Sequence, residues 1–160
     1  GPRGAGEVAL LAWLSERYDH VSVERVVSGM GIEDLFAWFA STGRHTVPAS
    51  FAGRPAAAAI SEAALAGGPP ICVATMRQFV VSYGAEAGNL ALKIMALGGV
   101  YIGGGIAPKI LPLMTDGSFL DAFCNKGRFA PLLRRIPVRI ILNEQTALLG
   151  AAEAATWLPR

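Results

Sequence analysis

Two short stretches of the chain hold residues whose types and spacing could do chemistry. In "VERVVSGMG", residues 23–31, Glu24 stands in an otherwise apolar run at the start of a short helix, and Gly29 and Gly31 break the run a turn later. A carboxylate fixed there can accept hydrogen bonds from ligand hydroxyls, beside a Ser28-Gly29 turn whose backbone can approach phosphate. Plain capping accounts for the same residues, because a helix N-terminus favours a carboxylate and Arg25 can pair with it on the surface. In "VYIGGGIAPK", residues 100–109, three glycines follow a β-branched and aromatic run. Such a triplet carries an entropic cost and contributes no packing. A strand, a Gly-rich turn and a helix beginning at Ile106 would let ligand atoms lie on bare backbone at Gly103, Gly104 and Gly105, with a helix start that favours anions. The spacing is neither G-x-G-x-x-G nor a G-K-[ST] loop, so a tight strand-to-helix turn without a ligand stands beside the nucleotide reading.

The elements that must position these stretches read mostly as helices. Val8, Leu11, Leu14 and Tyr18 recur at steps of three and four, which predicts an amphipathic helix over residues 6–18. Ser22 is placed to cap a short helix from Val23 to Val27. Ser28–Gly31 interrupts it, and Ile32 to Ala40 resumes as a helix. Residues 41–55 hold glycines, prolines and hydroxyls without a period and read as loop. Ala56 to Ala66 is a small-residue helix closed by Gly67-Gly68-Pro69-Pro70. A buried-face helix is expected from about Ile71 to Leu97, on Met76, Phe79, Val80, Tyr83, Ala87, Leu90, Ala91 and Ile94. Gly84 and Gly88, four apart, leave it a stripe that another backbone can approach closely. Val100–Ile102 reads as a strand, Ile106–Met114 as a helix with Pro108 in its first turn, and residues 117–133 as helical turns around a loop. Pro137–Leu142 reads as a second strand and Gln145–Trp157 as a last helix. Two parallel strands joined through helices indicate an α/β, helix-rich fold, but two strands are too few for a good sheet. Part of the fold is therefore expected to lie outside this chain.

Composition narrows the classes. The 160 residues are 52% hydrophobic and 16% charged, against roughly 25% charged in average soluble domains. The 14 basic and 12 acidic residues are dispersed and give a net charge of +2, so no nucleic-acid stripe is expected. No apolar run approaches the roughly 20 residues of a membrane span, and no basic-then-apolar leader is seen; the expectation is a cytoplasmic protein. Gly1-Pro2 reads as the scar a protease leaves on a recombinant chain. Cys72 and Cys124 have no metal spacing and read as free thiols. His20 and His45 lack partners, Asp116 and Asp121 suit a surface loop better than Mg²⁺, and Trp13, Trp38 and Trp157 suit core or interface. Asn143-Glu144 ends the second strand, where helix entry is the expected use.

Taken together, "VERVVSGMG", "GNLALKIMALGGVYIGGGIAPKIL", "F-x-x-KGRF" and "IPVRIILNEQTALLGAA" resemble the C-terminal half of bacterial glucokinases, members of the hexokinase branch of the actin-like ATPase superfamily. The resemblance runs from about Glu7 to Ala155. It implies an incomplete ribonuclease H-like large domain over residues 3–144, with few strands, and a helix over residues 145–160 that packs on a small domain absent from this chain. It implies ATP and Mg²⁺ as cofactors and glucose as the substrate. By position, Glu24 matches the glutamate that binds glucose hydroxyls, Ser28 and Gly29 the turn near the phosphates, and Gly103, Gly104, Gly105 and Ile106 the adenosine-side turn. Lys126, Gly127, Arg128 and Phe129 match a stretch with no assigned catalytic role.

The departures from the pattern matter equally. Glucokinases resemble one another in a D-x-G-G-T-N phosphate loop, an Asn-Asp pair whose Asp is the base, a T-G-L-G turn and an E-G-G-H sugar loop, and none of these occurs here. No catalytic residue is therefore expected in this chain, and it should not phosphorylate glucose alone. Leu148, Leu149, Ala152 and Ala155 would lack their partner domain, which predicts self-association into a homo-oligomer. A non-catalytic sugar-binding or interaction module, and a kinase of another sugar, remain alternatives.

Overall fold

A computed structural model describes residues 1–157. The fold is built around one helix. α4 (Pro70–Lys93) has 24 residues and buries Ile71, Met76, Phe79, Val80, Ala87 and Ala91, among others. α1 (Ala5–Ser15) and α2 (Gly29–Ser41) precede it, followed by α3 (Ala57–Leu65); α2 and α3 pack on α4. After it come β1 (Val100–Ile102), α5 (Ile106–Lys109), α6 (Leu111–Met114), α7 (Ser118–Cys124), α8 (Ala130–Leu133), β2 (Val138–Ile140) and α9 (Thr146–Thr156). The result is helix-rich α/β, with a two-stranded parallel sheet in the register Val100↔Val138, Tyr101↔Arg139, Ile102↔Ile140. Val100, Ile102, Val138 and Ile140 turn toward the core, and Tyr101 is exposed on the other face, as the period of two requires.

The Gly84–Gly88 stripe does what its spacing predicts. A Cβ at Gly84 would collide with the carbonyl oxygen of Phe119, and one at Gly88 with that of Phe123. Two glycines four apart on α4 thus receive two backbone carbonyls four apart on α7. This close approach lets Phe119 and Phe123 reach full burial, and Tyr83 stands edge-on between Phe79 and Phe119 at ring distances of 5.8 and 5.7 Å.

Several boundaries differ from the sequence expectation, each for a physical reason. α4 ends at Lys93, short of Leu97, because Met95 adopts φ 51° and the chain closes on itself. Ala96 N–H donates to Ala91 O at 2.9 Å and Met95 N–H to Leu92 O at 3.3 Å, the paired bonds of a left-handed helix stop. α3 ends in the same way at Gly67 (φ 68°), where the residue type suits the conformation. The predicted helix over 106–114 is two short helices meeting at Ile110 (φ −112°), because Pro112 has no N–H to offer the Pro108 carbonyl. Ser28–Gly31 does not interrupt a helix: Ser28 caps α2, which begins at Gly29. Only a 3₁₀ turn, Val23–Arg25, precedes it, and the Ser22 side chain makes no cap bond. The loop over 41–55 contains a 3₁₀ turn at Ala49–Phe51 that lays Phe51 on Phe36 at 6.0 Å. The first helix stops at Ser15, β2 is confined to Val138–Ile140, and α9 covers Thr146–Thr156; residues 158–160 of the expected last helix lie outside the described residues.

Two substitutions test this account from opposite sides. Gly84→Ala should lower unfolding free energy by about 1–3 kcal/mol, because backbone on α7 must move. Met95→Gly should raise it by about 1 kcal/mol, since the left-handed strain goes and a side chain that is 56% exposed takes little packing with it. Urea unfolding of both variants measures the two signs.

Candidate functional site

The sequence-predicted residues fall into two turns. In the first, the backbone is fastened by Ser28. Its hydroxyl accepts from Gly31 N–H at 3.0 Å and donates to the Glu24 carbonyl at 2.6 Å. One side chain therefore caps α2 and ties the preceding 3₁₀ turn to it. Gly31 is needed because a Cβ there would lie 2.6 Å from Val26 O. The first-turn amides of α2 at Gly29 and Met30 have no intrahelical acceptor, as helix starts require. Glu24 is exposed, and its carboxylate has no hydrogen-bond or ion-pair partner among the described residues. Arg25 does not pair with it. The guanidinium instead lies 3.9 Å from the centroid of the Tyr18 ring, a cation–π contact.

Behind that contact is a network that the sequence did not reveal. Tyr18 Oη donates to Asp34 Oδ2 at 2.8 Å, and Arg54 Nη2 donates to Asp34 Oδ1 at 3.1 Å while its Nε reaches Glu33 Oε2 at 2.9 Å. Asp34 is 3% exposed, so both its oxygens need these partners. Tyr18, Asp34 and Arg54 come from α1's exit, α2 and a loop, separated by 16 and 20 positions, and no local spacing links them. Beside the same turn lies a cavity of about 270 Å³, walled by Leu10 and Leu14 of α1, Val23 and Val27 of the turn, and Ser82 and Glu86 of α4.

The second turn leaves β1. Gly103, Gly104 and Gly105 are exposed and Ile106 is half-buried. Gly104 has φ 100°, which favours glycine on conformational grounds alone. A Cβ at Gly105 would meet nothing within 4 Å, and one at Gly103 would make ordinary contact with Ile141 Cδ1 at 3.6 Å. The structure therefore groups Glu24 with Ser28 and Gly29, and separately Gly103 with Gly104, Gly105 and Ile106. Neither cavity described for the chain is lined by residues of both turns.

Other candidates resolve into structural roles. Lys126 lies along α4, with Nζ donating to Ala85 O at 2.8 Å and Asn89 Oδ1 at 2.6 Å and Cε 3.0 Å from where a Gly88 Cβ would stand. Burial, then the charge of Arg3, lowers its pKa. The "KGRF" stretch thus begins with a strut between α7 and α4. Asp116 Oδ1 accepts from Ser118 N–H at 2.8 Å and caps the entry to α7. Asn143 Oδ1 accepts from Gln145 N–H at 3.0 Å at the entry to α9. His20 is exposed, and His45 meets Phe39 edge-on at 5.5 Å. Trp38 is core, Trp13 carries Arg17 at 3.6 Å from its ring, and Trp157 is exposed. Cys72 and Cys124 are unpaired, and burial pushes both thiols up. No cluster of three His, Cys, Asp or Glu side chains gathers among the described residues, and no single described helix is long and apolar enough to cross a membrane.

With this geometry in hand, the comparisons agree with one another. The glucokinase family model matches residues 1–157. The chain is 41% identical to a glucokinase of Synechocystis sp. over 96% of its own length and 48% of the relative's. It is 44% identical to a glucokinase of Nostoc sp., covering 98% of itself and 51% of that protein. A crystal structure of glucokinase from an Antarctic psychrotroph superposes with a TM-score of 0.83 at 34% identity, over 96% of this chain and 46% of the other. The chain spans about half the length of the curated relatives it matches.

The fastening of the first turn is testable without any ligand. Ser28→Ala removes one cap and one bond to the Glu24 carbonyl, and should lower unfolding free energy by about 1 kcal/mol. Hydrogen exchange should quicken at the Gly31 amide in the same variant, while the amides of α7 keep their protection.

Proposed function

The chain belongs to the glucokinase family, and from that premise we propose that it is the C-terminal, large-domain portion of an actin-like, ribonuclease H-like kinase. The whole enzyme transfers the γ-phosphate of ATP to the 6-hydroxyl of glucose in the cytoplasm, the entry step of glycolysis. In this reading Gly103–Ile106 takes the adenosine, Ser28 and Gly29 lie beside the phosphates, and Glu24 accepts hydrogen bonds from sugar hydroxyls. The base that takes the 6-hydroxyl proton belongs to the half of the protein that this chain does not contain, so the chain alone has no turnover. Mg²⁺, when bound, neutralises phosphate charge; the described residues gather no ligand set for it, and it rides on the nucleotide.

The observation that carries the reading is the mismatch at the glycine triplet. Gly104 has a conformational reason to be glycine, whereas Gly105 has neither a strained φ nor a neighbour within 4 Å. Gly105 is the N-cap residue of α5, a position that tolerates glycine, and the bare backbone it leaves fits a surface open to a ligand. Glu24 supports the sugar assignment in the same way: its backbone is fastened and its carboxylate is left without a partner among the described residues. α9 supports the assignment of an absent domain. None of its side chains is buried, with Leu148 72% and Leu149 56% exposed. In the whole protein this face docks on the small domain; in the isolated chain it drives self-association.

Calorimetric titration with ATP tests the proposal. The chain should bind ATP without hydrolysing it, and Gly105→Ala should weaken binding by about tenfold, corresponding to about 1.4 kcal/mol, with no loss of thermal stability. ATP binding that is indifferent to Gly105→Ala would place the nucleotide elsewhere.

A further inference from the structure

A second concavity, of about 870 Å³, opens between α4, α7 and α8 and contains none of the residues assigned above to sugar or nucleotide. Its apolar wall is Val81, Phe123, Leu133, Ile136 and Val138. Arg77 of α4 and Arg134 at the end of α8 line it, and neither makes an ion pair or a side-chain hydrogen bond among the described residues. Arg3 also reaches the rim, but its guanidinium is held by Glu7. Among the described residues, Asp121 is the only carboxylate in the lining. The charge around the groove is one-sided in the sequence as well: residues 122–143 hold Lys126, Arg128, Arg134, Arg135 and Arg139 and no acidic residue. The chain's modest net charge of +2 hides this concentration.

Two unpaired guanidiniums at one concavity present planar donor forks that match phosphate oxygens. The volume falls within the roughly 300–1,000 Å³ of small-molecule sites. The rest of the lining would suit a body that carries hydroxyls: the Asp121 carboxylate is an acceptor, and Asn125 offers both donor and acceptor. We propose that this groove is a binding site for a small phosphate ester bearing hydroxyl groups, with the phosphate on Arg77 and Arg134 and the hydroxyls toward Asp121 and Asn125. The site is separate from the Gly103–Ile106 turn and does not depend on the function proposed for it.

Cys124 supplies a reporter, because it lines the groove and is half-buried while Cys72 is fully buried. The experiment titrates the chain with glycerol 3-phosphate at low ionic strength, reading heat and the rate of Cys124 alkylation by N-ethylmaleimide. Saturable binding that slows alkylation is expected. Arg77→Ala and Arg134→Ala should each weaken it about tenfold. Arg135→Ala removes the same charge outside the groove and should change it by less than about twofold, a screened long-range effect. Asp121→Asn should weaken glycerol 3-phosphate more than inorganic phosphate. The proposal is overturned by an absence of saturable binding, by an alkylation rate unchanged at saturation, or by an Arg135→Ala effect equal to that of Arg134→Ala.

Discussion

The contact on which the rest of the structure depends is backbone against backbone, where α7 lies on α4 at Gly84 and Gly88. No side chain separates the helices there, so the helix carrying Phe119 and Phe123 sits at one depth only. α7 in turn leads through the Lys126 strut and α8 to β2, whose pairing fixes β1. On its other flanks α4 receives α2 and α3, with Ile32, Leu35, Phe36 and Ile60 buried in the shared core. Both candidate turns hang from this frame. The Glu24 turn is fastened to the start of α2, and the glycine turn follows β1, which is separated from α4 only by residues 94–99.

The two turns are built on different physics. The first relies on side chains: Ser28 bridges two elements, and Arg25 on Tyr18 extends the hold to buried Asp34. The second omits side chains, with Gly104 set by its positive φ, Gly105 open and Gly103 in ordinary contact range of Ile141. Among the described residues the Glu24 carboxylate has no partner, and the glycine turn is exposed. The chain spans about half the length of the curated relatives it matches, and the proposed cleft would take its remaining walls from elsewhere. α9 is exposed and the parallel sheet has two strands among the described residues, whereas parallel strands are ordinarily covered on both faces.

Much of this was legible in the sequence because it rests on local rules. The long apolar period predicted α4, the Gly84–Gly88 spacing predicted a close backbone neighbour, and the strand–glycine–helix order predicted the second turn. The errors cluster where one residue overrides a local trend. Met95 ends α4 in a conformation usually left to glycine, and Pro112 divides a helix that Pro108 would have permitted. Local spacing places Ser28 in a break, whereas its hydroxyl starts α2. What could not be read was long-range: which backbone meets the glycine stripe, how Tyr18 reaches Asp34 and Arg54, and how dispersed arginines gather at one groove. These contacts join residues tens of positions apart, and no period or spacing encodes them.

The central claim is that the glycine turn after β1 is a ligand surface rather than a mere connection. Amide NMR spectra of the chain titrated with adenosine, which carries no phosphate, test it most directly. The account predicts saturable shifts centred on Gly103, Gly104, Gly105 and Ile106, with the α7 amides unmoved. Shifts confined to other regions, or none at millimolar adenosine, would contradict it and leave the triplet as a turn alone.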